Sequence, residues 1–419
     1  MTDQRNLRSG QRDHAVLSAL AETHGASFFV LDAVRFRDNF RNLLGAFEAH
    51  YPQVRIGYSY KTNYTPHLCR IAHDEGGFAE VVSEMEYAAA KRIGVPCDRI
   101  IYNGPYKAGW SFIEAARGGA IINLDSTREI ALLRAASEAA AEAEIRVVLR
   151  SNFAIGETVS RFGFDPEGAD FAAMLAVIEE LPNVRLVGLH CHFPDRDLDS
   201  FRRRAQGLVA LMREVFPKGP PELLNIGGGY FSNMPESLRA TRAEPPANFA
   251  DYGEAVGRIL SDAMKGEPRW PTLFLEPGTA VVADTQTFFT RVISTKTVRG
   301  QGFATVAGSI FDISPNARSR ALPVEAILDP DAVRKDAHPD PAIVGYTCIE
   351  GDILTDRLHA PLVAGDFVAY DNVGSYSVVM RPPFILPSNP VLLSEGDGAG
   401  PRLIKARQSN EDVFALFQE

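Results

Sequence analysis

The sequence predicts an α/β protein: a (β/α)8 TIM barrel followed by a second, C-terminal β-rich domain of barrel or sandwich type. Three observations predict it. Short apolar runs alternate with helix-periodic segments over the first two thirds of the chain. Eight such runs fit within about 220 residues, the count and size of a parallel barrel. After Pro277 the apolar residues come instead in short β-branched or aromatic runs broken by Pro and Gly. A doubly wound open sheet is the rival reading of the same alternation.

Taken in order, Met1 to Leu17 is polar and charged and holds no apolar run of the kind a signal peptide needs. Phe28–Leu31 is an apolar strand that the barrel does not require, so residues 1–33 are expected to pack with the C-terminal domain. The barrel is expected over 34–277, opening with a helix at Val34–His50. Its strands fall near Val54–Tyr60, Phe78–Val82, Arg99–Tyr102, Ala120–Leu124, Ile145–Leu149, Val184–Leu189, Leu223–Ile226 and Thr272–Leu275. Helix periodicity marks Glu84–Ile93, Thr127–Ala141, Phe171–Glu180, Phe201–Val215 and Tyr252–Met264. Residues 278–419 form the β-rich domain, with runs at Phe288–Thr297, Phe303–Val306, Ala342–Cys348 and Asp366–Tyr370.

Charge and cysteine usage narrow the function. Lys and Arg number 43 against 53 Asp and Glu, a net charge of −10, which argues against a nucleic-acid-binding surface. No stretch approaches the roughly 18 apolar residues of a membrane span. Cys69, Cys97, Cys191 and Cys348 are scattered without a CxxC pair, the pattern of reduced thiols in a cytoplasmic protein. A small-molecule enzyme is the expectation.

Barrel chemistry comes from the C-terminal ends of the strands, so the residues after each strand carry the argument. After the first strand, alternation puts Gly57, Ser59 and Lys61 on one face. A partly desolvated lysine at a barrel mouth can lose its proton and form a Schiff base, although a surface lysine has the same spacing. After the sixth comes His190-Cys191-His192. The pair could ligate a metal, but the further ligands such a site needs are missing, so no metal is expected and one histidine serves better as a flat stacking surface. After the seventh, Gly227, Gly228 and Gly229 would let backbone N–H groups approach a phosphate, or simply make a tight turn. Glu276 follows the eighth. A Schiff-base lysine, a phosphate cradle and a carboxylate able to pair with a pyridinium nitrogen together describe a pyridoxal 5'-phosphate site.

These residues fall into a longer ordered set. Tyr58-Ser59-Tyr60-Lys61-Thr62-Asn63, Glu80-Val81-Val82-Ser83 with Glu86, Asn103-Gly104-Pro105-Tyr106-Lys107, Ser160-Arg161-Phe162-Gly163, His190-Cys191-His192, Gly227–Gly229, Glu276-Pro277-Gly278, Cys348 with Asp352, and Gly374-Ser375-Tyr376 follow one another along the chain. The set resembles the barrel-type (alanine-racemase-like fold) pyridoxal-phosphate decarboxylases that act on diaminopimelate, ornithine, arginine or carboxynorspermidine. The resemblance runs from about residue 28 to the end and implies a role for each residue. Lys61 would hold the cofactor aldehyde as a Schiff base, and His192 would stack on the ring. Gly227, Gly228 and Gly229 would bind the phosphate, with Tyr376 beside the cofactor, and Glu276 would pair with the ring nitrogen. Cys348 would be supplied across a homodimer interface to protonate the carbon that loses carbon dioxide. Glu350 and Asp352 would be candidates for a substrate's distal amine.

Departures from the family pattern bear on the substrate. His192 is followed by Phe193-Pro194-Asp195 where the family often has Gly-Ser, and Thr279 stands where an arginine often follows Glu-Pro-Gly. The Cys-Glu-Ser-Gly-Asp run of diaminopimelate decarboxylases is here Cys348-Ile349-Glu350-Gly351-Asp352. The expectation is therefore a decarboxylase of an amino acid or its conjugate, diamino type favoured, in siderophore, polyamine or natural-product synthesis. The alternatives are diaminopimelate decarboxylation in lysine biosynthesis and racemisation. Racemases of this fold place an arginine at the ring nitrogen, which Glu276 argues against. A catalytically dead regulatory relative is opposed by the presence of Lys61, His192, Glu276 and Cys348 together.

Overall fold

A computed structural model describes residues 12–155, 159–243, 245–313 and 321–418. The chain divides into two compact units, one holding residues 37–232 and 246–281, the other residues 1–36, 233–245 and 282–419.

The first unit is a closed parallel barrel. After α1 (His14–His24), β1 (Ser27–Asp32) and α2 (Ala33–Glu48), its strands are β2 (Val54–Ser59), β3 (Phe78–Val81), β4 (Ile100–Tyr102), β5 (Ile121–Leu124), β6 (Ile145–Arg150), β7 (Val184–His190), β8 (Leu223–Asn225) and β9 (Thr272–Leu275). β9 returns to pair with β2, Val54 opposite Leu273, and closes the ring. The open-sheet rival is thereby excluded. Helices α3 (Pro66–Asp74), α4 (Glu84–Arg92), α5 (Gly109–Arg117), α6 (Glu129–Ala139), α7 (Ala169–Glu180), α8 (Leu198–Val215), the one-turn α9 (Glu236–Arg239) and α10 (Phe249–Ala263) fall in the connections. The sequence periodicity marks neither α3 nor α5, although it marks α4, which is equally short.

Two-residue alternation along the strands stacks the barrel interior in layers. Ile101, Ile121, Val148, Val187, Leu223 and Phe274 form an apolar plug, with Phe78 packed against it. Two residues further along the same strands or just past them come Glu80, Asn103, Asn123, Arg150, Asn225 and Glu276. The layer towards the strand C-termini is thus polar. In β7 the step from Val187 to His190 is three residues, and the β6–β7 register shifts between Val147 and Val148. That irregularity turns His190 into the polar layer.

The second unit is built on a nine-stranded sheet, in which β10 (Gln286–Val298) is the longest strand. Its first half pairs with β1 and its second half with β11 (Gln301–Val306). The sheet is completed by β12 (Val324–Ile327), β13 (Ala342–Val344), β14 (Ile353–Thr355), β15 (Phe367–Tyr370), β16 (Val391–Ser394) and β17 (Arg402–Lys405). β1 lies antiparallel to β10 and parallel to β16. Phe28 and Val30 from β1 share a core with Leu17, Phe289, Phe367 and Leu392. Among the described residues no helix is long and apolar enough to cross a membrane.

Candidate active site

Lys61 lies in a single 3-10 turn, Tyr60–Thr62, that follows β2. Its Nζ donates to Glu80 Oε2 at 2.7 Å and to Ser59 Oγ at 3.2 Å, and the Ser59 hydroxyl in turn donates to Glu80. The Lys61 side chain is 37% exposed while Glu80 is fully buried. The amine is therefore held at the boundary between the polar layer and open space, fixed at its base yet reachable. Gly57, on the same strand, sits where a Cβ would come 2.9 Å from Ile101 Cδ1. A larger residue there would have to displace the tip of Ile101 in the apolar plug.

Glu276, just past β9, is buried among donors. Its Oε1 accepts from Asn103 Nδ2 at 2.8 Å and from Asn225 Nδ2 at 2.7 Å, and Oε2 lies 3.3 Å from His190 Nε2. Burial pushes this carboxyl up, but the charge and hydrogen bond of His190, the Lys61 ammonium and the Asn103 amide more than offset it. The net shift is downward, so Glu276 is an anion. Asn103 also donates to Glu80 Oε1 at 2.8 Å, so one amide joins the two carboxylates of the layer. Asn123 donates to the Asn103 carbonyl oxygen, which fixes the amide's orientation.

The half-buried His192 follows β7, and its Nδ1 accepts from the Gly228 N–H at 2.9 Å. Nδ1 is therefore unprotonated. Burial, with Arg150 and Lys61 nearby, holds the imidazole well below its usual pKa, so the ring is neutral. In the glycine run, Gly227 N–H donates to Asn225 Oδ1 at 2.9 Å. Two of the three N–H groups assigned to phosphate are thus engaged within the site, leaving Gly229 N–H without an acceptor among the described residues. A Cβ at Gly228 would lie 2.3 Å from the Glu276 carbonyl oxygen, so that position admits only glycine. Arg204, from α8, donates to Gly228 O at 2.8 Å and to Phe193 O at 3.0 Å. Arg150 reaches the His192 carbonyl oxygen at 3.3 Å and Asp125 Oδ1 at 3.3 Å.

The remaining expected residues belong to the second unit. Cys348 and Glu350 are exposed on the loop between β13 and β14. Asp352 lies at the end of the same loop. It is 3% exposed, and its carboxylate accepts from Ser309 Oγ at 2.9 Å, Ile310 N at 2.7 Å and Thr347 Oγ1 at 2.6 Å. Both oxygens are occupied, so Asp352 braces the loop that carries Cys348. Tyr376 has a φ of 66°, an unusual conformation for a side chain of its size. Just before it, a Cβ at Gly374 would lie 1.8 Å from the Val282 carbonyl oxygen, which admits no other residue.

Residues 37–283 match the family model for the pyridoxal-binding domain of pyridoxal-dependent decarboxylases, a span that takes in the whole barrel. The chain belongs to that family. The diaminopimelate decarboxylase of Aquifex aeolicus is 27% identical over 384 residues, covering 87% of this chain and 85% of that protein. That of Bacillus subtilis is 25% identical over 427 residues, covering 95% and 92%. Among solved structures, a diaminopimelate decarboxylase from M. jannaschii superposes with a TM-score of 0.83 at 23% identity, covering 95% and 93%. A lysine/ornithine decarboxylase from Vibrio vulnificus gives 0.72 at 19% identity, covering 91% and 98%. These structures share the two-part fold.

Pyridoxal phosphate is the cofactor of this decarboxylase, and the residues present fit it. An anionic carboxylate, a neutral imidazole and a reachable lysine are gathered at one barrel mouth, and the His190 Nδ1 in the same layer is buried without a partner. Glu80 and Asn103 lie within the ordered motifs without an expected role, and Asn225, Arg150 and Arg204 lie outside them. The signal for the last was available. Arg202-Arg203-Arg204 reads as a solvated run, yet Phe201, Arg204, Ala205 and Leu208 fall on one buried stripe of α8.

Proposed function

We propose that this pyridoxal-phosphate decarboxylase removes an α-carboxylate from a diamino acid of the diaminopimelate class, releasing carbon dioxide and an amine. The observation that carries the reading is the buried, ionised Glu276, held by Asn103, Asn225 and His190. An anion fixed there favours a protonated ring nitrogen. When bound, the cofactor supplies an electron sink for the pair left by the departing carboxylate.

The chain's own residues do the rest. Lys61 would hold the cofactor aldehyde, and Glu80, 2.7 Å from its Nζ, is in position to take the proton that the ammonium sheds. His192, locked by Gly228, offers a flat neutral face to the ring. The glycine loop would take the phosphate through Gly229 N–H, and the family resemblance would give Tyr376 a role in holding the cofactor. Cys348, on its braced loop, donates a proton to the α-carbon in the active site of a second copy, which makes the working unit a homodimer. Glu350, exposed two residues away, meets the distal end of the substrate.

The curated relatives, named diaminopimelate decarboxylases across most of their length, support this substrate over specialised biosynthesis. One observation favours the second reading: Thr279 and Asp195 stand where an arginine and a serine are common in the family. Carbon dioxide release by the cofactor-loaded protein decides. meso-Diaminopimelate, L-lysine, L-ornithine, L-arginine and acyl-conjugated diamino acids form the panel. Turnover of meso-diaminopimelate alone is expected. Turnover of a conjugate alone transfers the protein to specialised synthesis, and silence across the panel with cofactor bound sinks the decarboxylase reading of the site.

A further inference from the structure

Arg204 is fully buried, and among the described residues no carboxylate lies within ion-pair distance of it. A buried guanidinium ordinarily meets an anion, because a cation stranded in a low dielectric is costly. Here its donors are spent on neutral oxygens. Nη1 reaches Gly228 O at 2.8 Å, Nη2 reaches Phe193 O at 3.0 Å and Asp195 O, and Nε reaches Ser200 Oγ at 3.3 Å. The guanidinium also lies 4.0 Å from the centre of the Phe201 ring. These contacts satisfy its hydrogen bonds without cancelling its charge.

Two consequences follow from where that charge sits. Arg204 grips carbonyls from both loops at once, the one running from His192 to Asp195 and the glycine run, so it sets one against the other. It also backs the glycine run closely: a Cβ at Gly229 would be 3.7 Å from Nη2. Asp195, in the adjacent loop, adds a negative charge that acts on Arg204 and would oppose an anion bound nearby. Burial lowers the Arg204 pKa, and the charges of Cys191, Tyr230 and Asp195 act in the opposite sense.

We propose that Arg204 is a positioning residue for the cofactor phosphate, which fixes the glycine loop and supplies the positive potential that lets it hold a dianion despite Asp195. The assignment rests on the proposed function, in which that loop takes the phosphate. It concerns one group of the cofactor, which provides the test.

Arg204→Met and Arg204→Lys are titrated with pyridoxal phosphate and with pyridoxal, following the Schiff-base absorbance, with inorganic phosphate as competitor. In Arg204→Met, pyridoxal phosphate should weaken by about tenfold or more and pyridoxal by less than about threefold, with phosphate no longer competing. Arg204→Lys, which keeps the charge, should restore most of the preference for the phosphorylated form. Equal weakening of both forms reduces Arg204 to scaffolding and overturns the assignment, as does an unchanged Arg204→Met. Should Arg204→Met fail to fold, Asp195→Asn decides: it should tighten pyridoxal phosphate and leave pyridoxal unchanged, and the reverse result overturns the assignment. Wild-type protein that takes up neither form defeats the proposed function as well, whereas wild-type binding with an unaltered preference in the variants defeats only the role of Arg204.

Discussion

The Gly228 N–H and the His192 Nδ1 hold each other across 2.9 Å, so the loop after β8 sets the tautomer of the ring presented after β7. With Nδ1 an acceptor and its pKa well below the usual 6.5, His192 is neutral when folded. The unfolded chain binds a proton here that the native one does not, so this group's contribution to stability rises with pH and levels off above about 6.5. Selective nitrogen labelling should show the His192 ring unprotonated on Nδ1 from pH 8 down to 5.5. A titration midpoint near 6.5 would contradict the lock.

Glu86 carries the opposite dependence. Burial is the main cause that pushes its carboxyl up to about 7, against the Val82 N–H that it accepts at 2.9 Å, with the Glu80 charge adding to the rise. Its contribution to stability is fully present below about 4.5 and is lost as pH rises through 7. Glu86→Gln should therefore be more stable than the parent above pH 7, by up to about 3 kcal/mol, and indistinguishable from it near pH 4.5. Urea midpoints at the two pH values check the sign.

Asn103 donates to both buried carboxylates of the polar layer. Asn103→Ala strips a hydrogen bond from each, at about 1.5–3 kcal/mol apiece for a charged acceptor. The expected outcome is a marked fall in the urea midpoint together with a loss of kcat of about a hundredfold or more. Retained kcat at lowered stability would show that the amide supports the fold and not the charge of Glu276.

Lys107 and Glu129 form a fully buried pair that ties Gly104 and Asn123 carbonyls to the Asp125 and Ser126 N–H groups. Removing one partner strands the other. Lys107→Met should cost about 3–5 kcal/mol, and the double variant Lys107→Met with Glu129→Leu should recover part of that. Additive losses in a double-mutant cycle would show that the pair is not coupled.

Asp352 and Glu350 separate bracing from recognition. Asp352→Ala leaves the donors of Ser309, Ile310 and Thr347 without their acceptor and should cost about 2–3 kcal/mol. Glu350→Gln should leave the melting temperature unchanged and raise KM if it meets the substrate. An unaltered KM would remove Glu350 from the binding surface.

The eight barrel strands were legible because each is a short apolar run flanked by polar residues, and closure followed from their number. The site was legible where a residue type is rare at a strand end, as with Lys61, Glu276 and the glycines. Asn103 and Asn225 were not, because an asparagine carries no mark of whether it faces solvent or a buried carboxylate until the ring of strands closes around it. Arg204 was hidden by its neighbours: three consecutive arginines suggest a wet surface, and only the helical phase shows that the third points inward. The partners of Asp352 were hidden for a related reason. Its acceptors are filled by Ser309 and Ile310, some forty positions earlier, a meeting that local spacing does not announce.

The pairing of Phe29 with Phe288 gives the molecule a history as well as a shape. On the ribosome, β1 emerges early and finds none of its neighbours, since β10 and β16 are made only after the entire barrel. Local βα units can condense meanwhile, while the apolar Phe28–Leu31 edge stays unsatisfied and open to wrong associations. Pairing over so long a stretch of chain is slow to form, and until it forms the strand stays exposed to aggregation.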